Sequence, residues 1–186
     1  MEVILIRHTK VHNPRSVCYG QSDIGLASSF ENEKDNIISK LTLTGQFTVY
    51  SSPAQRCTRL AETITSTYKV DTRLQEVNFG DWENTPWQDI PQLQLTPWME
   101  DFVTIQPPNG ESFQDLHTRV KEFITELQQN DFDKVIVITH AGVIRSILCD
   151  SLGIPLVNAF RLTIDYGSLS KLIFSDYPPQ LKSLNL

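Results

Sequence analysis

The chain has 186 residues, 40% hydrophobic and 20% charged, the balance of one folded domain rather than a disordered, fibrous or membrane-embedded protein. A net charge of -6 removes the broad basic face that nucleic acid or an anionic lipid surface requires, so any positive site must be local. Cys18, Cys57 and Cys149 form neither a CxxC pair nor an even set for disulfides, and no run approaches the ~20 apolar residues of a bilayer span, so a reducing, cytoplasmic setting is expected.

Val3 to Ile6 is a continuous apolar run, too short for a signal sequence, which predicts a central strand covered on both faces. Arg7 and His8 stand at its carboxyl end. His12 follows His8 by four, the spacing of a helical metal pair, but β-branched Thr9 and Val11 and the nearby Pro14 predict an extended exit. His12 is then a pocket-rim or solvent residue. Phe47 to Tyr50 predicts a second strand, running into Ser51, Ser52, Pro53, Ala54, Gln55 and Arg56. Ser52 as N-cap, Pro53 in the first turn and Gln55 closing a capping box predict a helix that starts there. Cys57, Leu60, Ala61, Ile64 and Tyr68 form its buried stripe, with Arg56 off that stripe in the first turn.

Glu76 opens the segment Glu76, Val77, Asn78, Phe79, Gly80, Asp81, Trp82, Glu83, a carboxylate followed by bulky apolar groups and a turn-permitting glycine. Residues 82–108, rich in Pro, Gln and Trp and of weak periodicity, predict a small irregular cap. Trp82, Trp87 and Trp98 are expected as its core in preference to a stacking wall for a ligand. Ser112 with Asp115 signals a capping box and a helix that buries Phe113, Leu116, Val120, Ile124 and Leu127, with His117 on the solvated side. Val135 to Ile138 repeats the first apolar run, and Thr139 and His140 follow it as Arg7 and His8 follow the first. A helix from Gly142 to Leu152 ends at Gly153, with Pro155 beyond, and Leu169 to Phe174 is the last strand. Cys57 and Cys149 fall on apolar helix faces, where free cysteine acts as a small hydrophobe.

Strands alternating with helices predict an α/β fold: one three-layer α/β/α domain over 1–186, with a mostly parallel central sheet and its ligand site at the strands' carboxyl ends. Arg7, His8 and His140 belong there. Joined by Arg56, they have the chemistry to take a phosphate monoester dianion: two guanidiniums offer bidentate donors, and a neutral imidazole can attack phosphorus. The leaving alkoxide needs a proton. Glu76 is the best candidate to donate it, and an apolar wall beside it would keep the carboxyl protonated. An isolated His after a strand is more often a polar loop residue, but two in equivalent strand exits favour function.

With these motifs in this order, the chain resembles the histidine phosphatase superfamily, of phosphoglycerate mutase-like fold, and within it most closely the alpha-ribazole phosphatases. The Arg-His-Gly motif is Arg7, His8, Thr9; Ser-Ser-Pro-x-x-Arg is Ser51 to Arg56, with Ala61, Glu62 and Thr63 following. The acid loop is Glu76 to Glu83, and the remaining motifs are Gly110, Glu111, Ser112 and Thr139, His140, Ala141, Gly142. The resemblance implies His8 as the phosphohistidine residue, Glu76 as proton donor and Arg7, Arg56 and His140 as the phosphate clamp, with no metal or other cofactor. Thr9, Gln21 and Ala141 are expected to contact substrate, Thr9 through its hydroxyl and amide and Gln21 through an amide that both donates and accepts. Thr9 departs from the usual glycine and Gly25 from a common proline.

The expected activity is hydrolysis of a phosphomonoester, with alpha-ribazole 5'-phosphate of cobalamin synthesis as the preferred substrate. A broader sugar-phosphate or nucleotide phosphatase comes next, then a phosphoglycerate mutase or a non-catalytic phosphoester-binding domain. Retention of both His8 and Glu76 favours turnover, because binding alone needs neither nucleophile nor acid. The expected partner is a small-molecule phosphate ester, not nucleic acid or membrane, and a homodimer is compatible with this reading.

Overall fold

The computed structural model describes residues 1–175 and 177–186. Among them, β1 (Glu2–Arg7), β2 (Thr48–Ser51), β3 (Lys69–Val70), β4 (Lys134–Thr139), β5 (Leu169–Ile173) and β6 (Gln180–Ser183) form one sheet in the order β3-β2-β4-β1-β5-β6. The pairings β1 with β4, β4 with β2 and β2 with β3 are parallel, while β5 and β6 add an antiparallel edge. The two continuous apolar runs are therefore the central strands.

Alternate residues of those runs feed two separate cores, as the two-residue side-chain period of a strand requires. Val3, Leu5, Val135 and Val137 pack with α4 (Phe113–Gln128) and α5 (Ala141–Leu152) on one face. Ile4, Ile6, Ile136 and Ile138 pack with α1 (Phe30–Lys40) and α2 (Gln55–Ile64) on the other. Three layers result. The β1–β4 register sets Arg7 opposite Thr139, so the next residues, His8 and His140, leave the sheet side by side.

Ser112 and Asp115 form the expected capping box at the start of α4, and Gly153 adopts φ 65° at the end of α5. Several expectations need correction: β6 follows the strand expected to be last, and α2 ends at Ile64, which leaves Tyr68 outside the helix. The helix after β2 begins at Gln55 rather than at Ser52, because the Ser52 amide still donates to the Ile138 carbonyl at 2.9 Å and so prolongs the strand pairing. The segment 82–108 is not wholly irregular: it contains α3 (Gln92–Glu100) and packs Trp82, Ile90 and Leu95 against Cys18. His117 is not a solvated group, since its Nδ1 lies 3.0 Å from Ser146 Oγ on α5, inside the α4–α5 seam.

All three cysteines are free and buried, and burial pushes the Cys57 thiol up to about 12, so it packs rather than reacts. No helix among the described residues is long and apolar enough to cross a membrane. Phe123 of α4 is 1% exposed and meets Tyr50 edge-on, whereas Leu93 of α3 is 93% exposed. Urea unfolding is expected to show Phe123→Ala losing about 3–5 kcal/mol and Leu93→Ala changing by less than about 0.5 kcal/mol.

Candidate active site

Arg7, His8, Glu76, His140 and Ala141 line one pocket of about 270 Å³ beyond the carboxyl ends of β1 and β4. His8 and His140 are both buried, their ring centroids 5.1 Å apart in an edge-on arrangement. His8 Nδ1 lies 2.7 Å from the Thr9 carbonyl oxygen. A carbonyl can only accept, so Nδ1 carries the proton and Nε2 is left as a lone pair. Burial first, and then the Arg56 charge, lowers the His8 pKa well below the ordinary 6.5, so the ring is neutral at pH 7.

His140 engages both nitrogens with protein. Its Nδ1 accepts from Arg56 Nε at 3.3 Å, and its Nε2 lies 2.8 Å from Ser52 Oγ, which assigns the proton to Nε2. Its pKa is likewise lowered, by burial first and by Arg56 next. Ser52, expected as a helix cap, instead buttresses the second histidine.

The two arginines occupy different depths. Arg7 donates to the Ile164 carbonyl at 2.6 Å and lies 3.6 Å over the Tyr166 ring, while its buried Nε has no partner among the described residues. Only one of its five guanidinium N–H groups is thus taken by protein among the described residues, and the side chain lines the pocket. Arg56 is wholly buried and does not line the cavity. It stands behind His140, 5.3 Å from the Tyr19 ring, with Nη1 donating to Ser22 O at 2.9 Å and Nη2 to Gly20 O at 2.5 Å. Tyr19 and Tyr166 join the two arginine surroundings through hydroxyls 2.6 Å apart.

Glu76 does not meet the purely apolar wall expected for it. Val77 and Phe79 line the pocket beside it, yet Oε1 accepts from the Val77 amide and Oε2 from the Gly142 amide, each at 3.1 Å. The second donor belongs to the first turn of α5. A Cβ at Gly142 would lie 2.2 Å from Glu76 Oε1, so a larger residue there would displace the carboxylate. The Glu76 backbone is held by Arg119 of α4, which donates to the carbonyls of Arg73, Gln75 and Glu76 at 2.6, 2.8 and 3.0 Å. Glu111 pairs with Arg119 through both oxygens and also accepts from the Asn78 amide. Sequence reasoning missed Arg119; its one signal is a cation adjoining the buried stripe of α4.

Of the three expected substrate contacts, Ala141 alone lines the pocket. Thr9 is wholly buried behind His8, its carbonyl taken by the His8 ring and its hydroxyl without a partner among the described residues. Gln21 donates to the Glu76 carbonyl at 3.3 Å and so supports the Glu76 backbone. The outer wall is aromatic, with Phe79, Trp87, Trp98, Phe102, Phe113 and Phe160. The tryptophans thus divide: Trp82 is cap core, and Trp87 and Trp98 face the cavity. Arg145 of α5, also missed from sequence, adds a cation to this wall, with Nε donating to Leu162 O at 3.0 Å and its guanidinium 4.9 Å over the Phe160 ring.

The profile of the histidine phosphatase superfamily (branch 1) matches residues 3–186. The adenosylcobalamin/alpha-ribazole phosphatase of Escherichia coli is 25% identical over 194 residues, covering 100% of this chain and 96% of the relative. Phosphoserine phosphatase 1 of Hydrogenobacter thermophilus is 23% identical over 195 residues, covering 100% and 92%. Among solved structures, the alpha-ribazole phosphatase from Shigella flexneri superposes with a TM-score of 0.93 at 25% identity, over 100% of this chain and 96% of that one. With two strand-exit histidines, an arginine and a carboxylate around one pocket, and a match over nearly the whole length, the chain belongs to the histidine phosphatase superfamily, branch 1.

Proposed function

We propose that the protein hydrolyses phosphomonoesters in two steps through a phosphohistidine at His8, and that alpha-ribazole 5'-phosphate is its preferred substrate. The observation that carries the mechanism is the 2.7 Å contact from His8 Nδ1 to the Thr9 carbonyl, which leaves Nε2 as the nucleophile of a buried, neutral ring. In the first step the Nε2 lone pair forms the N–P bond while the ester P–O bond breaks, and the departing alkoxide takes a proton from Glu76. The imidazole becomes cationic as it is phosphorylated, which strengthens its Nδ1–H bond to Thr9. In the second step Glu76 takes a proton from water, the hydroxide oxygen bonds to phosphorus, and the N–P bond breaks to release phosphate and neutral His8. Arg7 supplies a charged donor and Arg56 a buried positive charge to stabilise the transferring group.

For the substrate, support comes from the aromatic wall, which suits the flat base of a nucleoside-like leaving group, and from the names of the two alpha-ribazole phosphatases above, although the phosphoserine phosphatase is nearly as similar in sequence. Arg145 favours a second reading, a sugar phosphate or nucleotide whose leaving group carries another negative charge, because its guanidinium faces the same wall.

His8→Ala is expected to lower turnover by ~10⁴-fold or more and to abolish the acid-labile phosphoryl adduct that an alkaline quench traps on the wild type. Glu76→Gln is expected to slow alkyl phosphates by about 100-fold while sparing p-nitrophenyl phosphate, whose leaving group needs no proton. Undiminished turnover in the His8 variant contradicts the mechanism. A panel of alpha-ribazole 5'-phosphate, nucleoside monophosphates, phosphoserine and phosphoglycerates, assayed in EDTA, tests the substrate. The first reading expects the highest kcat/KM for alpha-ribazole 5'-phosphate, little changed by Arg145→Gln; the second expects that variant to lose about 10-fold or more on a doubly anionic ester.

A further inference from the structure

Glu83 lies outside the pocket lining, yet its carboxylate is the most heavily solicited acceptor near it. Its oxygens accept from Gly20 N at 3.1 and 3.0 Å, Gln21 N at 3.0 Å, Ser22 N at 3.1 Å and Phe79 N at 3.1 Å. Although burial alone would raise the Glu83 pKa, the Ser22 hydrogen bond followed by the Gly20, Gln21 and Phe79 amides lowers it, so the group is ionised at pH 7. The carbonyls of the same loop point the other way. Gly20 O and Ser22 O receive Nη2 and Nη1 of Arg56. Because a trans peptide is planar, the Gln21 N–H and the Gly20 C=O are opposite ends of a single unit. That unit has its positive end on Glu83 and its negative end on Arg56, an arrangement in which each bond polarises the other.

We propose that Glu83 is a positioning residue of this site: its carboxylate gathers the amides of the Gly20–Ser22 loop so that the loop's carbonyls hold the Arg56 guanidinium beside His140. A carboxylate bonded directly to Arg56 would cancel the charge needed by a phosphoryl group. Relay through a peptide orients the guanidinium and leaves its charge available. Three of its five N–H donors are then taken, by His140, Ser22 and Gly20, and one remains on each of Nη1 and Nη2. Gly20 is part of the device, since a Cβ there would lie 1.7 Å from Val77 O and 2.9 Å from Glu83 Oε1.

The consequence for catalysis rests on the phosphatase reading above, whereas the effect on Arg56 does not, so two measurements separate them. With arginine side chains 15N-labelled, the Arg56 Nε–H is expected to be protected from solvent exchange in the wild type. Glu83→Gln is expected to lose that protection while thermal unfolding stays cooperative, and Glu111→Gln, which loosens the Glu76 segment instead, is expected to keep it. Gly20→Ala displaces the loop with Glu83 intact and is expected to lose protection too. On p-nitrophenyl phosphate, Glu83→Gln is expected to lower kcat/KM by about 100-fold, but by less than about twofold when Arg56 is already Ala. A protected Arg56 Nε–H in Glu83→Gln, or equal losses in both backgrounds, overturns the proposal. A wild type inactive on every phosphomonoester overturns the phosphatase reading, and the exchange result then decides the role of Glu83 alone.

Discussion

The site depends on an imidazole that stays uncharged while buried among guanidiniums. Burial and the neighbouring Arg56 and Arg7 charges all disfavour a protonated His8, and only the Thr9 carbonyl pulls the other way. That carbonyl also selects the tautomer, since it accepts from Nδ1 and leaves Nε2 free. An unprotonated ring nitrogen is thus available without a base to deprotonate it. The geometry originates in the sheet: parallel pairing of β1 with β4 in the Arg7–Thr139 register delivers His8 and His140 to the same exit.

The positive charge around that ring is arranged with equal economy. The chain is acidic overall, yet both arginines are oriented by carbonyls of Ile164, Gly20 and Ser22 and by tyrosine faces instead of carboxylates. The nearby carboxylates are directed elsewhere, Glu111 to Arg119 and Glu83 to backbone amides. A small cationic pocket therefore persists inside a molecule of net charge -6. Glu76 reaches the same cavity from a segment clamped by Arg119, so Glu76 and His8 are positioned by different layers of the fold.

The two central strands were legible because each is apolar on both faces, and the start of α4 and the end of α5 were legible because their caps are local in sequence. α1 was not, since it buries only Ile37 fully and presents a largely polar sequence, and β3 and β6 are short edge strands of mixed or exposed residues. The start of α2 was misplaced because a local cap signal at Ser52 lost to a strand pairing with Ile138, which no local pattern encodes. Motif residues His8, His140 and Glu76 were readable from their positions at strand exits and in the acid loop. Arg119, Glu83 and the buried depth of Arg56 were not, because their partners are backbone groups distant in sequence.

A pH titration of the His8 ring by long-range 1H–15N correlation tests the central claim most directly. The account predicts an Nδ1–H tautomer that persists from mildly alkaline pH to well below 6.5, the ordinary histidine value. A midpoint at or above 6.5, or a proton found on Nε2, would contradict it.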